Sequence, residues 1–262
     1  MIARNEGSTQ HLPVELSWKQ SLASAYSDPL ELLDFLDIDP SLIALDNAPK
    51  FPFRVPREFA LKMRSGDIND PLLRQVLPLA EELSSPSGYS RDPVAETAFE
   101  MQPGLLQKYK KRALIIATGA CAINCRYCFR RNFPYQQATG KDRWRKLIMM
   151  LKTNTDVEEI ILSGGDPLLM DDAQLKELCD ELGTITQLKR LRIHTRIPVT
   201  IPTRLTAGLQ DLLTQTRLDV AFVIHSNHAN KIDEALSLRL RALHRAGVNL
   251  FNQSVLDRKS VV

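Results

Sequence analysis

The rhythm of apolar and polar positions changes near residue 112. Before it, apolar residues come in short groups bounded by prolines. In DPLELLDFLDIDP, Leu32, Leu33, Phe35 and Leu36 supply the apolar content of a short helix between Pro29 and Pro40. NDPLLRQVLP places Asp70 as an N-cap and Pro71 at the first helical position. Pro49, Pro52 and Pro56 interrupt any longer helix. Residues 1–111 thus read as a helical, loop-rich extension with no obvious chemistry of its own.

From Arg112 to the end, residues 112–262, β-prone runs alternate with amphipathic helices. The strands read RALIIAT, EEIILSGG, KRLRIHTR, LDVAFVIHS and VNLFNQSV, with helices expected around 144–152, 172–182, 206–213 and 232–245. After the first pair the strands recur about every 30 residues, the spacing of a βαβ unit, which predicts an α/β domain with parallel strands. A barrel and a doubly wound sheet both satisfy the pattern, and in either one functional groups belong at the C-terminal ends of the strands. There the chain places CAINCRYC, SGGDP, His194 with Arg196, His225 with His228, and Asn252 with Gln253. Five successive strand ends carry polar groups able to converge on one mouth.

Composition narrows the class. With 44% hydrophobic and 25% charged residues the chain is ordinary for a globular protein, and its formal charge of +3 is scattered. No nucleic-acid partner is expected. No apolar run reaches the roughly 18–20 residues of a membrane span, and the N-terminus lacks a signal-peptide core. Four cysteines, three of them clustered, do not resemble a disulfide framework. A cytoplasmic protein without a membrane partner is the expectation.

Those three, Cys121, Cys125 and Cys128, follow the spacing CxxxCxxC. Thiolates bind soft metals, and a structural zinc site normally takes four protein ligands, yet no fourth ligand lies nearby. Three thiolates on a four-iron–four-sulfur (4Fe–4S) cluster would leave one iron open for another molecule. Cys179 falls on the stripe Leu175, Leu178, Cys179, Leu182 and reads as core.

With Tyr127 as the aromatic before the third cysteine, the motif resembles the signature of radical S-adenosylmethionine (SAM) enzymes. CRYCFRRNFPY, SGGDPL, LRIHTRIPVTIPTRLT, HSNHANKIDE and NQSVL together resemble the lysine 2,3-aminomutase family, above all the branch that forms (R)-β-lysine for elongation factor P. FRVPREF, DPLLRQVLP and PGLLQKYKKRAL extend the resemblance toward the N-terminus. It implies a full or partial (β/α) barrel and an isomerase, an intramolecular aminotransferase that moves the amino group of lysine from the α- to the β-carbon. The implied cofactors are a 4Fe–4S cluster, SAM and pyridoxal phosphate (PLP), with a low-potential electron donor as partner. By resemblance Cys121, Cys125 and Cys128 hold the cluster, and Tyr127, Ser163, Gly164, Gly165, Asp166, His225 and Gln253 line the SAM site. Arg112 and Lys108 meet the PLP phosphate, Lys108 standing where the family has an arginine and so keeping charge without the planar fork. Arg130 receives the substrate carboxylate.

The resemblance ends at NQSVL. The family's PLP-anchoring lysine and the acids for the substrate ε-ammonium belong to a continuation that this chain replaces with DRKSVV, and Lys259 lies too early to serve. The chain therefore reads as C-terminally truncated, short of the last strand and helix units. Three functions remain open at this point: an aminomutase whose turnover is impaired, a radical SAM enzyme without PLP, and a non-catalytic iron–sulfur or zinc-binding protein. A homo-oligomer is compatible with the sequence.

Overall fold

The computed structural model describes residues 16–46, 51–84, 87–88, 90 and 92–255. Pro49 and residues 257–262, with Lys259, lie outside the described residues. Strands β1 (Glu100–Gln102), β2 (Leu105–Tyr109), β3 (Arg112–Thr118), β4 (Glu159–Gly164), β5 (Arg190–Thr195), β6 (Asp219–His225) and β7 (Asn249–Gln253) form one seven-stranded sheet in sequential order. β1, β2 and β3 pair antiparallel, and from β3 to β7 every pairing is parallel. A doubly wound sheet would reverse its order at a switch point. This one never does, so the fold is a partial barrel of the (β/α) kind.

Among the described residues, helices α1 (Trp18–Ala23), α2 (Pro29–Phe35) and α3 (Arg57–Ala60) precede the sheet, and α4 (Tyr135–Ala138) and α5 (Lys141–Thr153) follow β3. Next come α6 (Asp172–Gly183), α7 (Ile197–Thr200), α8 (Ala207–Gln215) and α9 (Glu234–Arg245). The starts are set by caps. Asp171 and Gln174 form a capping box on α6, Thr206 caps α8, and Asp233 caps α9 through Leu236 N. That last cap places the α9 start at Glu234 rather than at Ile232. Asp70 caps as expected, its Oδ1 accepting from Leu72 and Leu73 N at 2.8 and 2.9 Å. The turn it starts is a 3₁₀ helix, Leu73–Gln75.

Two features differ from the expected extension. Residues 100–109 form strands rather than helix, because the turn at Tyr109–Arg112, with Lys111 at φ 64°, folds PGLLQKY back onto β3. The α1–α3 region also has its own core, in which Phe59, Leu72, Leu73 and Val76 pack with Ile123 and Cys125. The extension is thus the back wall of the cysteine loop. The main core lies between the parallel strands and α5, α6, α8 and α9, and Cys179 is buried in it as expected. Among the described residues no helix is long and apolar enough to cross a membrane.

Candidate active site

The cysteine loop leaves β3 at Thr118 and is fastened at once to β4. Gly165 N donates to Thr118 O at 2.7 Å, and Asp166 N to Ala120 O at 2.8 Å. A Cβ on Gly165 would sit 2.1 Å from Ala120 O, and one on Gly164, at φ 116°, would sit 2.5 Å from Thr118 O. Only glycine allows backbones this close. The space these two glycines clear is filled by the cysteine loop, although both still line the cavity.

Asp166 locks the next strand to the same point. Its buried carboxylate accepts from Leu168 N (3.1 Å), Thr195 Oγ1 (2.7 Å), Arg196 N (2.7 Å) and Ile197 N (2.9 Å). Burial pushes its carboxyl pKa upward, and the donors work against that shift. Asp166 thus joins the ends of β4 and β5 at the mouth of the cavity. His228 turns to its own loop, accepting from Asn230 N at 3.2 Å.

Cys121, Cys125 and Cys128 line one cavity of about 410 Å³ together with Tyr127, His225 and Gln253. Burial pushes the Cys121 thiol up, and Asp166 and the other two sulfurs push the same way. Burial also raises Cys128. Thiols held up in this manner keep their protons until a metal competes for the sulfur. Among the described residues no three His, Cys, Asp or Glu side chains close on a point as ligands of a single ion would. The fit to an iron–sulfur centre rests on donor chemistry, three soft sulfurs on one wall with cationic groups beside them.

Arg196 is the chief of those cations, and its role was not specified by the sequence. Its guanidinium lies over the Tyr127 ring, 4.9 Å from the centroid, and contacts Cys125 Sγ. It also reaches His225 Nδ1 at 3.4 Å, while His225 Nε2 meets Gln253 Oε1 at 2.9 Å. Burial, with Arg196 close by, pushes His225 down to about 4, and burial with Arg192 does the same to His194. Both rings are neutral near pH 7.

Arg130 is 5% exposed and fully engaged. It forks onto Glu96 (Nε–Oε2 2.8 Å, Nη2–Oε1 2.6 Å) and donates to Ser163 Oγ at 2.8 Å. Arg131 turns away from the cavity to Glu82 at 2.5 Å, which also holds Arg126 at 2.6 Å. Glu82 and Glu96 carried no signal in the sequence, since exposed-looking acids in short 3₁₀ turns resemble ordinary surface residues. Lys108 and Arg112 line the far side of the cavity. Lys108 Nζ lies 5.0 Å from the Phe99 centroid, and Arg112 lies 3.5 Å from Glu159.

The radical SAM superfamily profile matches residues 115–224, from inside β3 to the penultimate residue of β6. That match places a radical SAM domain over those residues. L-lysine 2,3-aminomutase of Escherichia coli (strain K12) is 44% identical over 254 residues, covering 95% of this chain and 74% of the relative. The enzyme of the same name from Haemophilus influenzae is 41% identical over 92% of this chain and 72% of its own length. That of Clostridium subterminale is 36% identical over 73% of this chain and 46% of its own. The chain belongs to the lysine 2,3-aminomutase family.

Proposed function

We propose that this protein is a radical SAM lysine 2,3-aminomutase, an isomerase that converts L-lysine to β-lysine for the modification of elongation factor P. The observation that carries the reading is the convergence of Cys121, Cys125 and Cys128 with Tyr127, Arg196 and the His225–Gln253 pair on one cavity. The three cysteines would hold a 4Fe–4S cluster. Tyr127, His225, Gln253 and the strand end at Ser163–Asp166 would border SAM. When bound, cluster and SAM supply a hydrogen-abstracting radical at the expense of one electron from a low-potential donor, and PLP supplies electronic stabilisation of the migrating amine.

The chain's own groups bind, orient and exclude water. Arg196 places positive charge against the Tyr127 ring and the Cys125 sulfur, offsetting an anionic centre in a buried site. Neutral His225 can accept or donate without adding charge beside Arg196. Lys108 and Arg112 fit a phosphate as two cations on one wall, and Lys108 is the one lysine among the described residues lining the cavity. Arg130 is the residue proposed for the substrate carboxylate; with Glu96 on its fork, binding there requires Glu96 to give way.

The test is anaerobic reconstitution with iron and sulfide, then addition of SAM, PLP, lysine and a strong reductant, with 5′-deoxyadenosine and β-lysine quantified together. Both products are expected, β-lysine in the smaller amount. Deoxyadenosine without β-lysine would favour a radical SAM reaction without PLP, and neither product from an assembled centre would point to a non-catalytic metal-binding protein.

A further inference from the structure

Behind the cysteine loop, on the side away from the cavity, lies a lysine that the reading above does not use. Lys231 is 1% exposed. Its Nζ donates to Gln75 Oε1, and the same oxygen accepts from Tyr127 Oη at 3.1 Å. Gln75 holds the loop a second time, its backbone carbonyl accepting from Arg126 N at 2.9 Å. The Lys231 Nζ also lies 5.8 Å from the Phe59 ring centroid. A short polar line therefore runs from Lys231 through Gln75 to Tyr127, one of the two residues between Cys125 and Cys128.

The charge on Lys231 is uncompensated. Among the described residues no carboxylate pairs with it. Asp233, two residues on, pairs with Lys62 at 2.8 Å, and Lys62 in turn donates to the Lys231 carbonyl at 3.0 Å. The other charged groups acting on Lys231 are two further cations, Arg196 and Lys62, and the Cys125 sulfur. A buried ammonium without an anionic partner is among the most costly groups a fold can carry. Burial draws its pKa down to about 8, which leaves it mostly protonated near pH 7. Two buried cations, Lys231 and Arg196, thus flank Tyr127 and Cys125, and the group that faces them is the three-sulfur centre, which becomes anionic when it holds iron.

Resting on the cluster assignment proposed above, we infer that Lys231 is a positioning and charge-compensating residue of the three-cysteine centre. It braces the loop through Gln75 and Tyr127, and its ammonium stabilises the added negative charge when the centre accepts an electron. The consequence is directional: removing the charge makes the centre harder to reduce.

The experiment uses the full chain, reconstituted anaerobically, with iron content, thermal unfolding and an EPR-monitored reductive titration as readouts. Lys231→Met keeps the stem and loses the charge. It is expected to lower the ratio of reduced to oxidised centre at least tenfold at a fixed potential, about 59 mV for a one-electron couple. Lys231→Arg is expected to stay within threefold of the parent. Should Lys231→Met unfold, Gln75→Glu serves instead, since a carboxylate beside Lys231 cancels its charge without removing it, and the same direction of shift is expected. Unchanged potentials in variants that bind iron normally overturn the inference while leaving the cluster assignment standing. A parent chain that assembles no centre overturns both.

Discussion

On the cysteine-loop wall of the cavity the polar groups are buried and paired, whereas on the hairpin wall they stand in solvent. Asp166 serves four donors there, and Arg130 is held by Glu96 and Ser163. Across the cavity Lys108 and Tyr109 are exposed, and β7 ends the sheet with Phe251 55% and Val255 48% exposed. The first wall is over-determined by its own hydrogen bonds and backbone contacts. The second has looser contacts, Lys108 over the Phe99 ring and Arg112 beside Glu159. A protein that must stabilise a reactive centre before substrate arrives needs the first kind of wall, and one that receives a diffusible ligand tolerates the second.

If that contrast is right, the cysteine-loop wall should fail at single atoms. Gly165→Ala pushes a methyl into the Ala120 carbonyl, where backbone faces backbone. It is expected to destabilise by about 3 kcal/mol and to abolish iron retention, read from denaturant midpoints and iron analysis. A variant with parental stability would break the comparison at its strongest point. Glu96→Gln weakens a bidentate buried pair but keeps one acceptor. A loss of about 2 kcal/mol is expected, with the guanidinium freed for carboxylate ligands; tighter binding of lysine by calorimetry would sharpen the assignment of Arg130.

The histidines give a graded effect. Their folded values of about 4 lie below the ordinary 6.5, so between those pH values the unfolded chain binds protons that the folded chain refuses. Their contribution to stability is complete above pH 6.5 and is lost as pH falls toward 4. The melting temperature of His225→Gln should therefore fall less between pH 7 and pH 5 than that of the parent. Parallel pH profiles for the two chains would contradict the burial of His225. The smallest effect belongs to the hairpin wall. Lys108→Met should change stability by no more than about 0.5 kcal/mol while weakening PLP binding, followed by its absorbance. A large stability loss would show that this wall, too, is structurally committed.

How much of this could be read in advance follows from how local each determinant is. The five strands from β3 to β7 and the longer helices α5, α6, α8 and α9 were legible because apolar periodicity is a property of neighbouring residues. The three cysteines and Tyr127 were legible for the same reason, being packed into one short motif. The β1–β2 hairpin was missed because its pairing partner, β3, is what makes PGLLQKY a strand. Glu82, Glu96, Gln75 and Lys231 were missed because each acts on residues 34 or more positions away.

The sequence by itself determined the α/β order, the thiol donor set and the family. The tertiary structure alone decided that the strands follow one another around an open barrel, and that Gly164 and Gly165 make room for the cysteine loop. It also decided which charges the site holds, pairing Arg130 with Glu96 and leaving Lys231 buried without a carboxylate among the described residues. Composition counts charges, but burial and distance set their energies, and those exist only once the chain has folded.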